Sequence, residues 1–106
     1  MLEHLPASAL VQTQPLFKMG ALVMTQGINQ LVSDSEDFSK FVVESLNRHA
    51  RADWGDLSKD DKDENDFSLN KHLRIFSAYK YNEDVRIWII TEADRSVTTI
   101  LLPSEY

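Results

Sequence analysis

The stretch from Arg74 to Pro103, RIFSAYKYNEDVRIWIITEADRSVTTILLP, decides the fold. It holds three apolar runs separated by two short polar segments. Arg74–Tyr81 and Val85–Thr91 flank Asn82-Glu83-Asp84, whose composition is that of a hairpin loop. Glu92-Ala93-Asp94-Arg95 is a second tight polar turn. Beyond it, the β-branched Val97, Thr98, Thr99 and Ile100 carry a final strand over Ser96–Leu102. Three successive strands with connections this short predict an antiparallel meander.

Upstream, the pattern changes. Leu16–Thr25 reads as a first strand, with Phe17, Met19, Ala21 and Val23 on one face. Thr25 stands where it would cap a short helix over Gln26–Val32, weakened by Gly27. Ser33 and Glu36 have capping-box spacing. Phe38, Phe41, Val42, Ser45, Leu46 and His49 then recur at three- and four-residue steps, the signature of one buried helical stripe. Asp53-Trp54-Gly55 is the stop, with Gly55 suited to a positive φ. A third helix starts at Ser58 and runs to about Leu73; its apolar content is thin, which predicts a surface helix. The expected fold class is α+β: an N-terminal strand, two to three helices, then the meander, with the helices packed on one sheet face. Residues 16–106 form the single domain in this reading, and residues 1–15, interrupted by Pro6 and Pro15, a tail with one helical turn near Ala7–Val11.

Composition narrows the function classes. A chain of 106 residues suits one core. The net charge of −6 argues against coating nucleic acid, which relies on Lys and Arg to neutralise phosphates, although it leaves room for a local basic site. With no Cys, a disulfide scaffold, a thiol nucleophile and a thiolate metal site are excluded. The first residues show no basic region followed by an apolar run, and no apolar stretch approaches the roughly 20 residues that cross a bilayer. No membrane association and a cytoplasmic location are therefore expected.

The chemistry-bearing residues are few. Asp61, Asp63 and Asn65 begin like a calcium loop, but Asp66 stands where Gly is needed for the turn and His72 where a bidentate Glu is needed. The run Asp60, Asp61, Asp63, Glu64 and Asp66 is then a strongly acidic helix face, relieved in part by Lys59 and Lys62. The three His residues have no metal-ligand spacing, and no serine-nucleophile or glycine-rich phosphate motif is present, so neither catalytic residues nor a metal or other cofactor are expected. Two further features stand out. Trp54, at a helix end beside the acidic run, is a candidate partner anchor. The turn holding Glu92, Asp94 and Arg95 sets two carboxylates and a guanidinium between apolar strands, a secondary candidate for anion binding.

Asp53-Trp54-Gly55, Asp63-Glu64-Asn65, Ser77-Ala78-Tyr79 and above all the run from Trp88 to Pro103 resemble a family of small bacterial proteins labelled plasmid-related, carried on plasmids and integrative elements. The likeness spans roughly Lys18 to Tyr106 and departs from the family at Thr25-Gln26-Gly27. It implies a mobile-element cargo protein. No catalytic residues are implied, and proteins of this size and charge in that setting include inhibitors of host defence such as anti-CRISPR proteins.

Three expectations about function follow. The first is a binding protein that blocks a larger protein partner, such as a nucleic-acid-handling defence complex, through Trp54 and the acidic face, without touching nucleic acid directly. The second is a messenger-RNA-cleaving toxin-like enzyme using Arg74, Lys80, Arg86, Arg95, Tyr79 and Tyr81. The third is an accessory protein that forms a homodimer through edge strands at the first and last positions.

Overall fold

The computed structural model describes residues 5, 6, 10–12 and 14–106, and within them four strands and three helices build an α+β domain. The strands are β2 (Ala21–Met24), β3 (Ile75–Lys80), β4 (Arg86–Thr91) and β5 (Val97–Leu101); a two-residue β1 (Leu5–Pro6) pairs antiparallel with β2. The helices α1 (Gln26–Asp34), α2 (Glu36–Ala50) and α3 (Lys59–Lys71) separate β2 from β3. None is long and apolar enough to cross a membrane. The helical turn expected near Ala7–Val11 falls largely outside the described residues.

Strand order is β1-β2-β5-β4-β3. β3 pairs with β4 and β4 with β5 antiparallel, while β2 pairs with β5 in parallel. The last three strands thus pair antiparallel in sequence order as expected, but the three-stranded meander is corrected to part of a larger sheet of mixed pairing, in which β2, with the short β1 beyond it, extends the β5 edge. The physical reason lies in β5, whose second edge would otherwise present a row of unpaired N–H and C=O groups. β2 satisfies them, and the Ala21 N–H to Ser96 and Thr25 N–H to Ile100 carbonyl bonds of 2.9 and 3.1 Å close the two ends of the pairing. β5 is therefore interior and offers no edge for a homodimer. The outer edge of β3 is also occupied: Asp56 N–H reaches the Ala78 carbonyl at 2.8 Å, and Asn65 binds both the N–H and the carbonyl of Phe76.

Two local expectations are corrected. The first strand is shorter than Leu16–Thr25, because Gly20 takes a positive φ of 68° and its α-carbon lies against the Ser96 carbonyl, where a Cβ would collide. The cap of α2 is Ser35, whose Oγ accepts the Phe38 N–H at 3.1 Å, because α1 continues through Ser33 to Asp34. Ser58 caps α3 as expected, accepting the Asp61 N–H at 3.1 Å, and Gly55 has a φ of 75°.

The cap of α1 comes from the far end of the chain. Thr25 makes no side-chain cap; instead the Glu105 carboxylate, carried by the 3-10 turn Pro103–Glu105, accepts Thr25 Oγ1 at 2.5 Å, Gly27 N at 2.8 Å and Leu102 N at 3.0 Å. An anion on the free N–H groups of a helix start also meets the positive end of its dipole.

One sheet face and helices α1 and α2 enclose the core. Leu22, Tyr79, Ile87, Ile89 and Ile100 from the strands meet Ile28, Phe38, Val42, Leu46 and Ala50 from the helices. Leu10 and Val11, inside the stretch expected as a tail, pack against this core. α3 instead lies along the outer edge of β3, which accounts for its thin apolar content and leaves Phe67 and Leu73 exposed. The helices are thus divided between one face and one edge of the sheet.

Candidate functional site

α3 is held from one side only. Asn65 is buried and its amide bridges the Phe76 backbone, and Ser68 is buried beneath the same helix. Asp66 takes the Trp54 indole N–H at 3.0 Å. Asn65 and Ser68 face the sheet edge, and Asp60, Asp61, Asp63 and Glu64 are exposed. Lys59 pairs with Asp63 at 2.9 Å, an exposed bridge of small energetic weight. The carboxylates of the acidic run, Asp66 included, are thus all exposed and make the solvent side of α3 an acidic ridge. The residues that began like a calcium loop lie on a regular helix, with Asn65 buried and its amide committed to the Phe76 backbone.

Trp54 is placed differently from its expected role. It is 3% exposed and packs against Phe17 and His49, with ring centroids 6.3 and 5.7 Å away. Its polar atom is spent on Asp66. It supports the acidic ridge from below and presents no surface to a partner.

The secondary candidate, the turn after β4, is also a structural device. Arg95 is 6% exposed and has a φ of 62°. Its guanidinium turns inward: Nη1 donates to the carbonyls of Leu73, Glu92 and Ala93 at 2.6, 3.0 and 3.3 Å, and Nη2 to that of Ser68 at 3.2 Å. It gathers the C-terminal end of α3, the Leu73 carbonyl just beyond it and the β4–β5 turn onto one cation, at the end of the helix where its dipole favours positive charge. Burial lowers its pKa from the usual arginine value. Asp94 accepts both Ser96 N–H and Ser96 Oγ, bonds that hold its carboxyl below the ordinary range, and Glu92 lies 3.9 Å from Arg74. The three residues do not converge on a ligand.

Behind this turn runs a chain of buried polar groups, of which the sequence pattern places only His49 on a buried stripe. His49, wholly buried, contacts Ser77 Oγ through Nδ1 at 2.6 Å and Thr91 Oγ1 through Nε2 at 2.9 Å. Thr91 Oγ1 lies 2.8 Å from Thr98 Oγ1, which donates to the Met19 carbonyl at 2.6 Å. Burial, aided by the charge of Arg95, lowers the His49 pKa to about 3. Tyr79 is buried beside it, donates to the Asp53 carbonyl at 2.7 Å, and is pushed up in pKa chiefly by burial. The RNA-cleaving set proposed from sequence is thus divided: Arg95 and Tyr79 are internal, and only Arg74, Lys80, Arg86 and Tyr81 are exposed.

The sheet face opposite α1 and α2 carries a second surface. Alternation along β3 and β4 puts Phe76, Ala78 and Lys80 beside Ile90, Trp88 and Arg86 in cross-strand register. Phe76 and Trp88 meet edge-to-face with centroids 5.1 Å apart, and Tyr106 approaches Trp88 at 5.6 Å. Arg74 donates to the Tyr106 hydroxyl at 2.8 Å and lies over its ring at 5.3 Å. These side chains and Ile90 line a cleft of about 350 Å³ to which no helix contributes. Its sequence signal is the alternation Arg74, Phe76, Ala78, Lys80 along the first of the three apolar runs.

Comparison of the chain with family models, curated proteins and solved structures finds no match. Two surfaces thus stand out on geometry: the acidic ridge of α3 and the aromatic face of the sheet.

Proposed function

We propose that this chain is a noncatalytic binding protein that blocks a larger protein partner through the acidic ridge of α3. The observation that carries this reading is the mounting of that helix. Asn65, Asp66 and Ser68 fix one side to the β3 edge and Trp54, while Asp60, Asp61, Asp63 and Glu64 face outward on a rigid element. A charged ridge fixed in this way needs no ordering on binding, and its field steers association with a basic surface. The fitting partner has a basic groove, as in a complex that handles nucleic acid. The likeness of Trp88–Pro103 to plasmid-related proteins supports the further step to a mobile-element inhibitor of host defence, of the anti-CRISPR kind.

The deciding experiment is capture of partners from a bacterial host with the wild-type chain and with a ridge-neutralised variant carrying Asn at 60, 61 and 63 and Gln at 64. A partner retained by the wild type, released by salt and lost in the variant supports the reading. A partner held equally by both sinks it.

A further inference from the structure

Charge is segregated in this fold. The chain has 17 acidic side chains, yet none lies within β2, β3, β4 or β5. The charged residues of those strands are Lys80 and Arg86, both exposed on the aromatic face, and Arg74 stands immediately before β3 on the same face. The net charge of −6 is thus carried by helices and loops; the open sheet face carries Arg74, Lys80 and Arg86, with Glu92 3.9 Å from Arg74 and Glu83 2.9 Å from Lys80 at its margins, an excess of one positive charge.

The placement of Lys80 and Arg86 adds a second observation. They are direct cross-strand partners in the β3–β4 register, and like charges directly opposite each other destabilise a sheet. Glu83 relieves Lys80 at 2.9 Å, but an anion between the two cations would relieve both. Arg74 lies at the other end of β3, about 20 Å away along the strand. Between the cations lie the part-exposed rings of Phe76 and Trp88 over the buried Ile90, with Tyr106 at the side of Trp88.

We propose that this sheet face binds single-stranded nucleic acid, with an unpaired base seated against Trp88 and phosphates held by Arg74 and by the Lys80–Arg86 pair. Every base has a π-face that stacks on an aromatic ring, and cations beside such a platform follow the backbone. A duplex hides its bases and brings a denser phosphate charge toward the acidic helices, so the face discriminates against it. The site is separate from the α3 ridge, and each can fail without the other.

The test uses the full chain and fluorescently labelled pyrimidine strands of about a dozen nucleotides, as RNA and as DNA, followed by anisotropy at about 50 mM salt, with a matching duplex as the control. Micromolar binding of a single strand, weaker binding of the duplex and a fall in affinity with salt are expected. The RNA and DNA arms identify which backbone the face prefers. Trp88→Ala should weaken binding about tenfold or more, and Trp88→Phe much less. Arg86→Ala separates binding from folding: it removes a like-charge pair, so the melting midpoint holds or rises while affinity and salt dependence both fall. Absence of binding by any strand up to about 100 μM overturns the proposal. So does an affinity untouched by Trp88→Ala or Arg86→Ala. A dimer in light scattering that Trp88→Ala dissolves, with no strand bound, identifies the face as a self-interface and equally overturns it.

Discussion

His49 Nδ1 lies 2.6 Å from Ser77 Oγ in the centre of the core, and the rest of the polar chain fixes which atom holds each proton. Thr98 gives its hydroxyl proton to the Met19 carbonyl, so it accepts from Thr91. Thr91 has then spent its own proton and accepts from His49 Nε2–H. A neutral imidazole has one N–H, so Nδ1 accepts from Ser77. All these bonds run in one direction, and protonating His49 would reverse the Ser77 bond, forcing that hydroxyl to turn and accept from Nδ1–H while a charge is buried.

Stability should therefore fall in mild acid. The His49 pKa is about 3 in the folded chain and 6.5 when unfolded, so the unfolded state binds the additional proton between those values. The contribution is complete above pH 6.5 and is lost as pH falls toward 3, at up to about 1.4 kcal/mol per unit. Carboxylates held low in the fold, such as Asp53 beside Arg48, act in the same direction but only at lower pH. Urea unfolding between about pH 4.5 and 6.5 isolates the histidine. His49→Gln should be less stable at neutral pH and should flatten the slope; a slope equal to that of the wild type excludes His49 as its source.

Arg95 sets a second expectation. Its guanidinium serves four carbonyls from two elements, and lysine cannot match that fork. Arg95→Lys should destabilise by about 1–3 kcal/mol, since the bonds to the Leu73 and Ala93 carbonyls are lost while those of Ser68 and Glu92 keep backbone N–H donors. Hydrogen exchange should accelerate first in the last turn of α3. If melting is unchanged and exchange is uniform, α3 is anchored chiefly by Asn65.

Glu105 should behave as a helix cap acting over long range. Burial would raise its pKa, but the bonds from Thr25, Leu102 and Gly27 outweigh that and lower it. Glu105→Ala should cost about 1 kcal/mol, in the range of a lost N-cap. Glu105→Gln should recover part of that, because one amide oxygen still accepts. Faster amide exchange in the first turn of α1 is the local readout, and an α1 start that is indifferent to both variants removes the capping role.

Local physics was legible in the sequence where a residue acts on its neighbours. Ser58 capping α3, Gly55 at positive φ, the Asn82–Asp84 hairpin and the thin apolar content of α3 all fall in this class. What was not legible depends on distant partners. Glu105 caps a helix 78 residues away, and β2 joins β5 only because the intervening helices return the chain to that edge. Ser33 and Ser35 both offer a capping hydroxyl, and the choice rests on how far α1 extends. Trp54 and Arg95 look like surface chemistry in isolation, but their partners Asp66, Ser68 and Leu73 turn them inward. The acidic ridge was legible because four of its charges need no partner within the chain to stay outside.

That ridge gives the last expectation, which weighs folding against association. Asp60 and Asp61 lie in the first turn of α3, where a negative charge gains a few tenths of a kcal/mol from the helix dipole. The same charges repel Asp63 and Glu64 at helical spacing by similar amounts, and the Lys59–Asp63 bridge is exposed. Neutralising Asp60, Asp61, Asp63 and Glu64 to Asn and Gln therefore removes opposing small terms and should change stability by less than about 1 kcal/mol. Asp66 is left in place because it accepts the Trp54 N–H. Association is not balanced in this way, since every lost charge weakens attraction to a basic partner. The association rate should fall most at low salt, and the difference from wild type should close as salt screens the field. Stopped-flow or surface binding across a salt series, beside a melting curve, measures both sides. If the rate and its salt dependence survive neutralisation while the fold is intact, the ridge serves only solubility and the partner is held elsewhere.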